Sequence, residues 1–190
     1  MKRFRVFLAG LAMLSAAATA AAGSLIVQPL NTVVNIGDSF DLEVRGQGFL
    51  ETIVGGGFGF TFNGADLQLT GVSIAPIWEF VPSGGAIDNV AGTLTDASFN
   101  SFANPRSGDF DVATLSFKAL APGLPEIALA ASTLFVFSDV LGNEVTPLFG
   151  KATVQVLGVP EPSAVAMMLA GFGLLALTLG RRNRTVSGAT

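Results

Sequence analysis

SFDLEVRG, residues 39–46, alternates apolar and charged side chains at a period of two. Phe40, Leu42 and Val44 fall on one side and Asp41, Glu43 and Arg45 on the other. A helix would scatter these residues round its surface. An extended chain sorts them into one buried face and one wet face. The same alternation recurs along the middle of the chain. Phe58, Phe60 and Phe62 share a face in GGFGFTFNG, opposite Gly57, Gly59 and Thr61. Ala113, Leu115 and Phe117 do so in DVATLSFK, and Ala152, Val154 and Val156 in KATVQV, with Thr153 and Gln155 outward. Glu126–Ala131 is a weaker strand carrying Ile127 and Leu129.

Turn sequences separate these runs: Ile36-Gly37-Asp38, Asn63-Gly64, Ala121-Pro122-Gly123 and Leu141-Gly142-Asn143. No middle segment sustains an apolar period of 3.6. Short strands with turns at this spacing predict an all-β sandwich or jelly roll, two sheets burying their phenylalanine faces against each other. Residues 76–108 alternate less cleanly and should hold one or two irregular strands, for example over Ala91–Thr95, because a structureless loop that long is rare in a compact domain.

The two ends read differently. Lys2, Arg3 and Arg5 precede the apolar VFLAGLAML and the small-residue run SAAATAAAG. That is the layout of a signal peptide over 1–22, cut by signal peptidase after Ala22. Its apolar core is too short to span a bilayer. At the other end, Pro160-Glu161-Pro162 leads into an uncharged stretch, Ser163–Leu179, and then Arg181, Arg182 and Arg184. A helix over 163–180 is expected there. Seventeen residues at 1.5 Å each reach about 25 Å, the short limit for crossing hydrocarbon. The prolines mark its start. Glu161 stays at the outer boundary, and the arginines hold residues 185–190 in the cytoplasm. The domain over 23–158 and the Pro-Glu-Pro therefore face outward.

Charge and missing residue types exclude several chemistries. The net charge of −4 conceals a middle with four cations, Arg45, Arg106, Lys118 and Lys151, against thirteen carboxylates. Such a domain has no basic face for nucleic acid. Cys, His and Tyr are absent, which removes disulfides, thiolate nucleophiles and the usual proton shuttle. A serine triad would lack its base. A glycosidase needs two carboxylates across a sugar, and Asp109 with Asp111, or Asp38 with Asp41, read more simply as strand-end and turn acids. Gly55-Gly56-Gly57-x-Gly59 lacks the lysine and helix of a phosphate loop and instead suits a bend or a close backbone approach. The expectation is a protein that is not an enzyme and needs no cofactor.

Two candidate sites remain. Asp139, Asn143 and Glu144 cluster in one turn with the oxygen ligands that calcium prefers, although a plain turn explains Gly142-Asn143 equally. Trp78, the single tryptophan, could stack on a sugar ring or fill the core.

VPEPS, the apolar span and RRNR, residues 159–184, resemble the PEP-CTERM sorting signal of Gram-negative bacteria. The resemblance implies processing near Pro160-Glu161-Pro162 by an exosortase, a membrane protease-transpeptidase, and delivery to a cell surface or an exopolysaccharide biofilm matrix. VVNIGDSFDLEV (33–44), FGFTFNGADLQLTGVSI (58–74), FDVATLSFKALAPG (110–123), SDVLGNEV (138–145) and ATVQV (152–156) together resemble the cohesin family, with FGF standing where many members carry a more polar strand. This implies a cohesin-like, nine-stranded jelly-roll sandwich, a fold that binds dockerin domains in cellulosomes. The function expected is adhesion or scaffolding through exopolysaccharide or a surface protein. The alternative is a carbohydrate-binding module with its sugar site near Trp78.

Overall fold

In the computed structural model, residues 23–158 are described, together with 167–168 and 171–172. Expectations for the signal peptide, for Pro160-Glu161-Pro162, for most of the 163–180 helix and for Arg181, Arg182 and Arg184 lie outside the described residues. Among those described, no helix is long and apolar enough to cross a membrane.

The described chain forms twelve strands: β1 Ser24–Gln28, β2 Asn31–Asn35, β3 Ser39–Thr61, β4 Leu67–Ile74, β5 Ala86–Asp88, β6 Thr93–Asn100, β7 Arg106–Ala119, β8 Glu126–Ala131, β9 Phe137–Asp139, β10 Glu144–Val145, β11 Leu148–Phe149 and β12 Lys151–Leu157. Four of the twelve, β5, β9, β10 and β11, are pieces of two or three residues.

SFDLEVRG and GGFGFT are not separate strands. Both belong to β3, which runs 23 residues, some four times an ordinary strand. Its first half pairs antiparallel with β1 on one side and β7 on the other. Its second half pairs with β6 and β8. One strand thus serves both sheets, β4-β7-β3-β1-β11 and β5-β6-β3-β8-β12-β2. It must bend between them, and the register with β7 slips at Val44/Arg45, Gly46/Phe49 and Phe49/Ile53. Bulges of this kind turn a strand through a corner. Gly48 supplies a left-handed residue at the bend, φ +67°, where a side chain would be strained.

The first slip also sets the faces of β7. Val44 opposes Ala113 and Arg45 opposes Asp111, so Val112 is the extra residue. Val112 is therefore buried together with Ala113, Leu115 and Phe117, a departure from strict alternation.

The inward residues make one core. Leu42, Val44, Phe58, Phe60, Leu115, Phe117, Ile127, Ala152, Val154 and Val156 are all buried, as their alternation requires. Phe117 of one sheet packs against Phe60 and Phe62 of the other, at ring-centroid distances of 6.0 and 5.6 Å. Burying such side chains contributes about 1.5–3 kcal/mol each. Residues 76–108 become β5, β6 and the start of β7, joined by two loops.

The glycine run of β3 makes room for other parts of the chain. A Cβ on Gly56 would sit 2.6 Å from the Phe137 ring, and one on Gly59 would sit 2.6 Å from the Leu94 carbonyl oxygen. On the outer face, Gly57 lies under the strap that continues from β8, and its Cβ would meet the Phe135 Cβ at 2.6 Å.

Candidate functional site

Trp78 is 1% exposed. Its indole Nε1 donates to the Asp111 carbonyl over 2.8 Å. Phe99 and Phe110 pack on it at 4.7 and 5.5 Å between ring centroids. The ring has no free face, so of the two readings open for Trp78 the structure places it in the core and not against a sugar. The physical reason is that β6 and β7 bring apolar rings and a carbonyl acceptor to the indole at once, which satisfies both its apolar body and its polar N–H.

At the weaker calcium candidate the turn holds its own acid. Asp139 accepts the backbone N–H groups of Leu141 and Asn143 at Oδ1, both at 2.8 Å, and the Asn143 side-chain amide at Oδ2, 2.9 Å. Both oxygens thus accept N–H donors from within the turn, the arrangement that a plain turn requires. The Asn143 side-chain amide, helped by its backbone N–H, holds the Asp139 carboxyl below its ordinary value. Among the described residues no cluster of three acidic side chains could hold a metal. This turn closes the β9–β10 hairpin.

The acid pairs weighed for hydrolysis have local partners. Asp111 pairs with Arg45 at 2.8 Å, and Asp109 accepts from the Gly48 N–H. Asp38 accepts from Asn35, and Asp41 from the Ser116 hydroxyl.

Two acids that the sequence did not single out organise the loops. Phe58 opposes Ala97 and Phe60 opposes Leu94, so Thr95 and Asp96 together face Gly59. Asp96 has φ +55° at this bulge. Its Oδ1 accepts the Ser132 hydroxyl at 2.6 Å and the Thr133 N–H at 3.1 Å. The Ser132 hydroxyl holds the Asp96 carboxyl below its ordinary value, and the strap over Gly57 is pinned. Glu79 takes the hydroxyl of Ser101 and the N–H of Ala103, and its carboxyl falls from 4.5 to about 2. It ties the segment after Trp78, which carries Phe80, to the loop between β6 and β7, which carries Phe102; the two rings stand exposed with centroids 4.9 Å apart. No local pattern marks either acid, because the partner segments, 101–103 and 132–133, lie more than twenty residues away.

A groove of about 870 Å³ lies beside Gln28, Asn31, Asp41, Glu43 and Thr114. A smaller trough of about 160 Å³ runs over Gly59, Thr61, Thr93, Thr95 and Ala130. The chain leaves the sandwich at the end of β12, where the Leu157 carbonyl accepts the Ile36 N–H at 3.0 Å.

The destination of the chain is written beyond that strand. Residues 158–184 match the PEP-CTERM protein-sorting motif. The PEP-CTERM motif thus begins one residue after β12 ends, and it marks an exported chain that passes through a membrane-anchored intermediate to an exosortase. No curated protein matches the sequence. Among solved structures the sandwich is similar to a cohesin in a type I cohesin–dockerin complex from Clostridium thermocellum, with 15% identity, a TM-score of 0.60, and 72% of this chain and 99% of that chain covered. It is similar to a non-cellulosomal cohesin from the archaeon Archaeoglobus fulgidus, with 12% identity, a TM-score of 0.59, and 72% and 92% covered. It is likewise similar to the cohesin module of a family 33 glycoside hydrolase from Clostridium perfringens, with 16% identity, a TM-score of 0.58, and 73% and 99% covered. The PEP-CTERM cargo is a cohesin-like β-sandwich.

Proposed function

We propose that this chain is an exported, non-enzymatic surface or matrix protein whose sandwich works in adhesion or scaffolding. The carrying observation is that a PEP-CTERM motif succeeds a cohesin-like sandwich with no linker between them. In this reading residues 1–22 are removed by signal peptidase and 23–158 form the exported domain. Residues 163–180 span the membrane, Arg181, Arg182 and Arg184 hold residues 185–190 inside, and an exosortase acts near Pro160-Glu161-Pro162. Delivery is to the surface or exopolysaccharide matrix of a Gram-negative cell. The similar Clostridium thermocellum domain is named as one partner of a cohesin–dockerin complex, which favours protein contacts as the mode of scaffolding.

The intact mass of the extracellular protein tests the delivery. Cells with an exosortase should release a chain lacking both ends. Arg181→Ala with Arg182→Ala, or Glu161→Gln, should leave the tail uncut. A wild-type chain that keeps its tail in such cells overturns the reading.

Glycan binding is the second reading, moved from Trp78 to the groove beside Asn31, Asp41 and Glu43. Its polar lining suits the hydroxyls of a neutral sugar. Retention on a polysaccharide column that is lost in Glu43→Gln and kept in Trp78→Phe would support it. No retention on any glycan would leave protein contacts as the mode of action.

A further inference from the structure

Four turns gather round the point where β12 ends. The Gly37 N–H donates to the Ala119 carbonyl, the Leu120 N–H to Asp66, the Gly123 N–H to Val156 and the Phe62 N–H to Gly92. These bonds bring turns 35–38, 63–66, 88–92 and 119–124 to the same end of the sandwich as Leu157. That end is tipped with aliphatic side chains: Val90 is 99% exposed, Leu124 68%, Leu157 41% and Leu120 39%. Its acids are turned back into their own turns. Asp38 accepts from Asn35, Asp66 from the Asn63 side chain, and Asp88 from the N–H groups of Val90 and Ala91. Lys118 is exposed two residues before Leu120.

The tether is short. Five residues separate Leu157 from Ser163, the start of the expected span, and the six Cα–Cα steps between them reach at most about 20 Å when fully extended. The headgroup layer itself occupies roughly 5–8 Å on each side of the hydrocarbon core. An apolar rim held this close to lipid meets it at high effective concentration.

We infer that, before processing, the turn end of the sandwich rests on the outer face of the bilayer, with Val90, Leu120, Leu124 and Leu157 entering the headgroup layer. This rests on the reading of 163–180 as a membrane span. The domain then stands upright over its own cleavage site, and the Pro-Glu-Pro is held at a fixed depth. An exosortase would receive it from the side, along the membrane plane.

The absence of cysteine permits single-site labelling. The full chain carrying Val90→Cys, Leu124→Cys or Leu141→Cys is labelled with an environment-sensitive dye. It is then reconstituted in vesicles of phosphatidylethanolamine and phosphatidylglycerol containing headgroup-nitroxide lipid. Leu141 is 82% exposed in the β9–β10 turn, away from the exit of β12, and serves as the control. Loss of fluorescence at 90 and 124, with 141 unaffected, is the expected result. Flotation with the vesicles but no quenching at 90 and 124 overturns the inference alone, as does equal quenching at 141. Dyes shielded only when exosortase is added, without lipid quenching, assign the face to the enzyme and also overturn it. Failure to float overturns the membrane span and this inference with it.

Discussion

Trp78 and Asp111 are joined across 33 positions by one bond, indole Nε1 to carbonyl oxygen, at 2.8 Å. The bond docks the loop after β4 onto β7. The side chain of the same aspartate pairs with Arg45 of β3, so the residue links three segments, although the exposed ion pair itself contributes about 0–1 kcal/mol. Trp78→Phe keeps most of the packing and deletes the donor. It should cost about 1–2 kcal/mol in urea unfolding, and Trp78→Ala about 3–5 kcal/mol. A Trp78→Phe variant as stable as wild type would show that the bond carries no weight.

Glycines of β3 and β4 should respond differently to the same substitution. Gly56→Ala drives a methyl into Phe137, which stacks on Phe49 and meets Phe99 and Phe149 edge-on. Overpacking of that cluster should cost about 1–3 kcal/mol. A methyl on Gly71 of β4 would have nothing within 4 Å, and the backbone there has no positive φ. Gly71→Ala should be neutral, or stabilising by up to about 1 kcal/mol through the unfolded chain. Paired thermal melts would read both.

Glu79 should confer an acid-dependent stability. The Ser101 hydroxyl, its own backbone N–H and the Ala103 N–H lower its carboxyl from 4.5 to about 2. A depressed folded value stabilises fully above the unfolded value and is lost as pH falls from 4.5 towards 2. Asp96 is shifted in the same direction, first by the Ser132 hydroxyl, and adds to the loss. Glu79→Gln should melt below wild type near neutral pH, and the two curves should converge at the acid end of that window. A constant offset across the range would refute the assignment.

Asp139 should act without calcium. Asp139→Ala removes the acceptor for Leu141 and Asn143, so amide exchange over 139–143 should accelerate. Excess calcium should leave the wild-type melting point unchanged. A calcium-dependent rise, abolished in Asp139→Ala, would restore the metal reading.

Much of the fold was legible in the chain because burial on a sheet imposes a period of two. Phe58, Phe60, Leu115, Phe117, Val154 and Val156 could be assigned to the core by counting alone. Composition likewise argued against a basic face and thiol chemistry, and the tail motif was readable because its parts are contiguous. Three features needed the folded chain. The joining of SFDLEVRG to the glycine run as one strand depends on bulges, which arise from mismatched pairing with β7. The fate of Trp78 depends on Phe99, Phe110 and the Asp111 carbonyl, whose approach no local spacing records. The work of Asp96 and Glu79 depends on hydroxyls and N–H groups brought in from distant loops. Periodicity reports which way a side chain points relative to its own strand. What meets it there is set by how the sheets close, and that is a property of the tertiary structure.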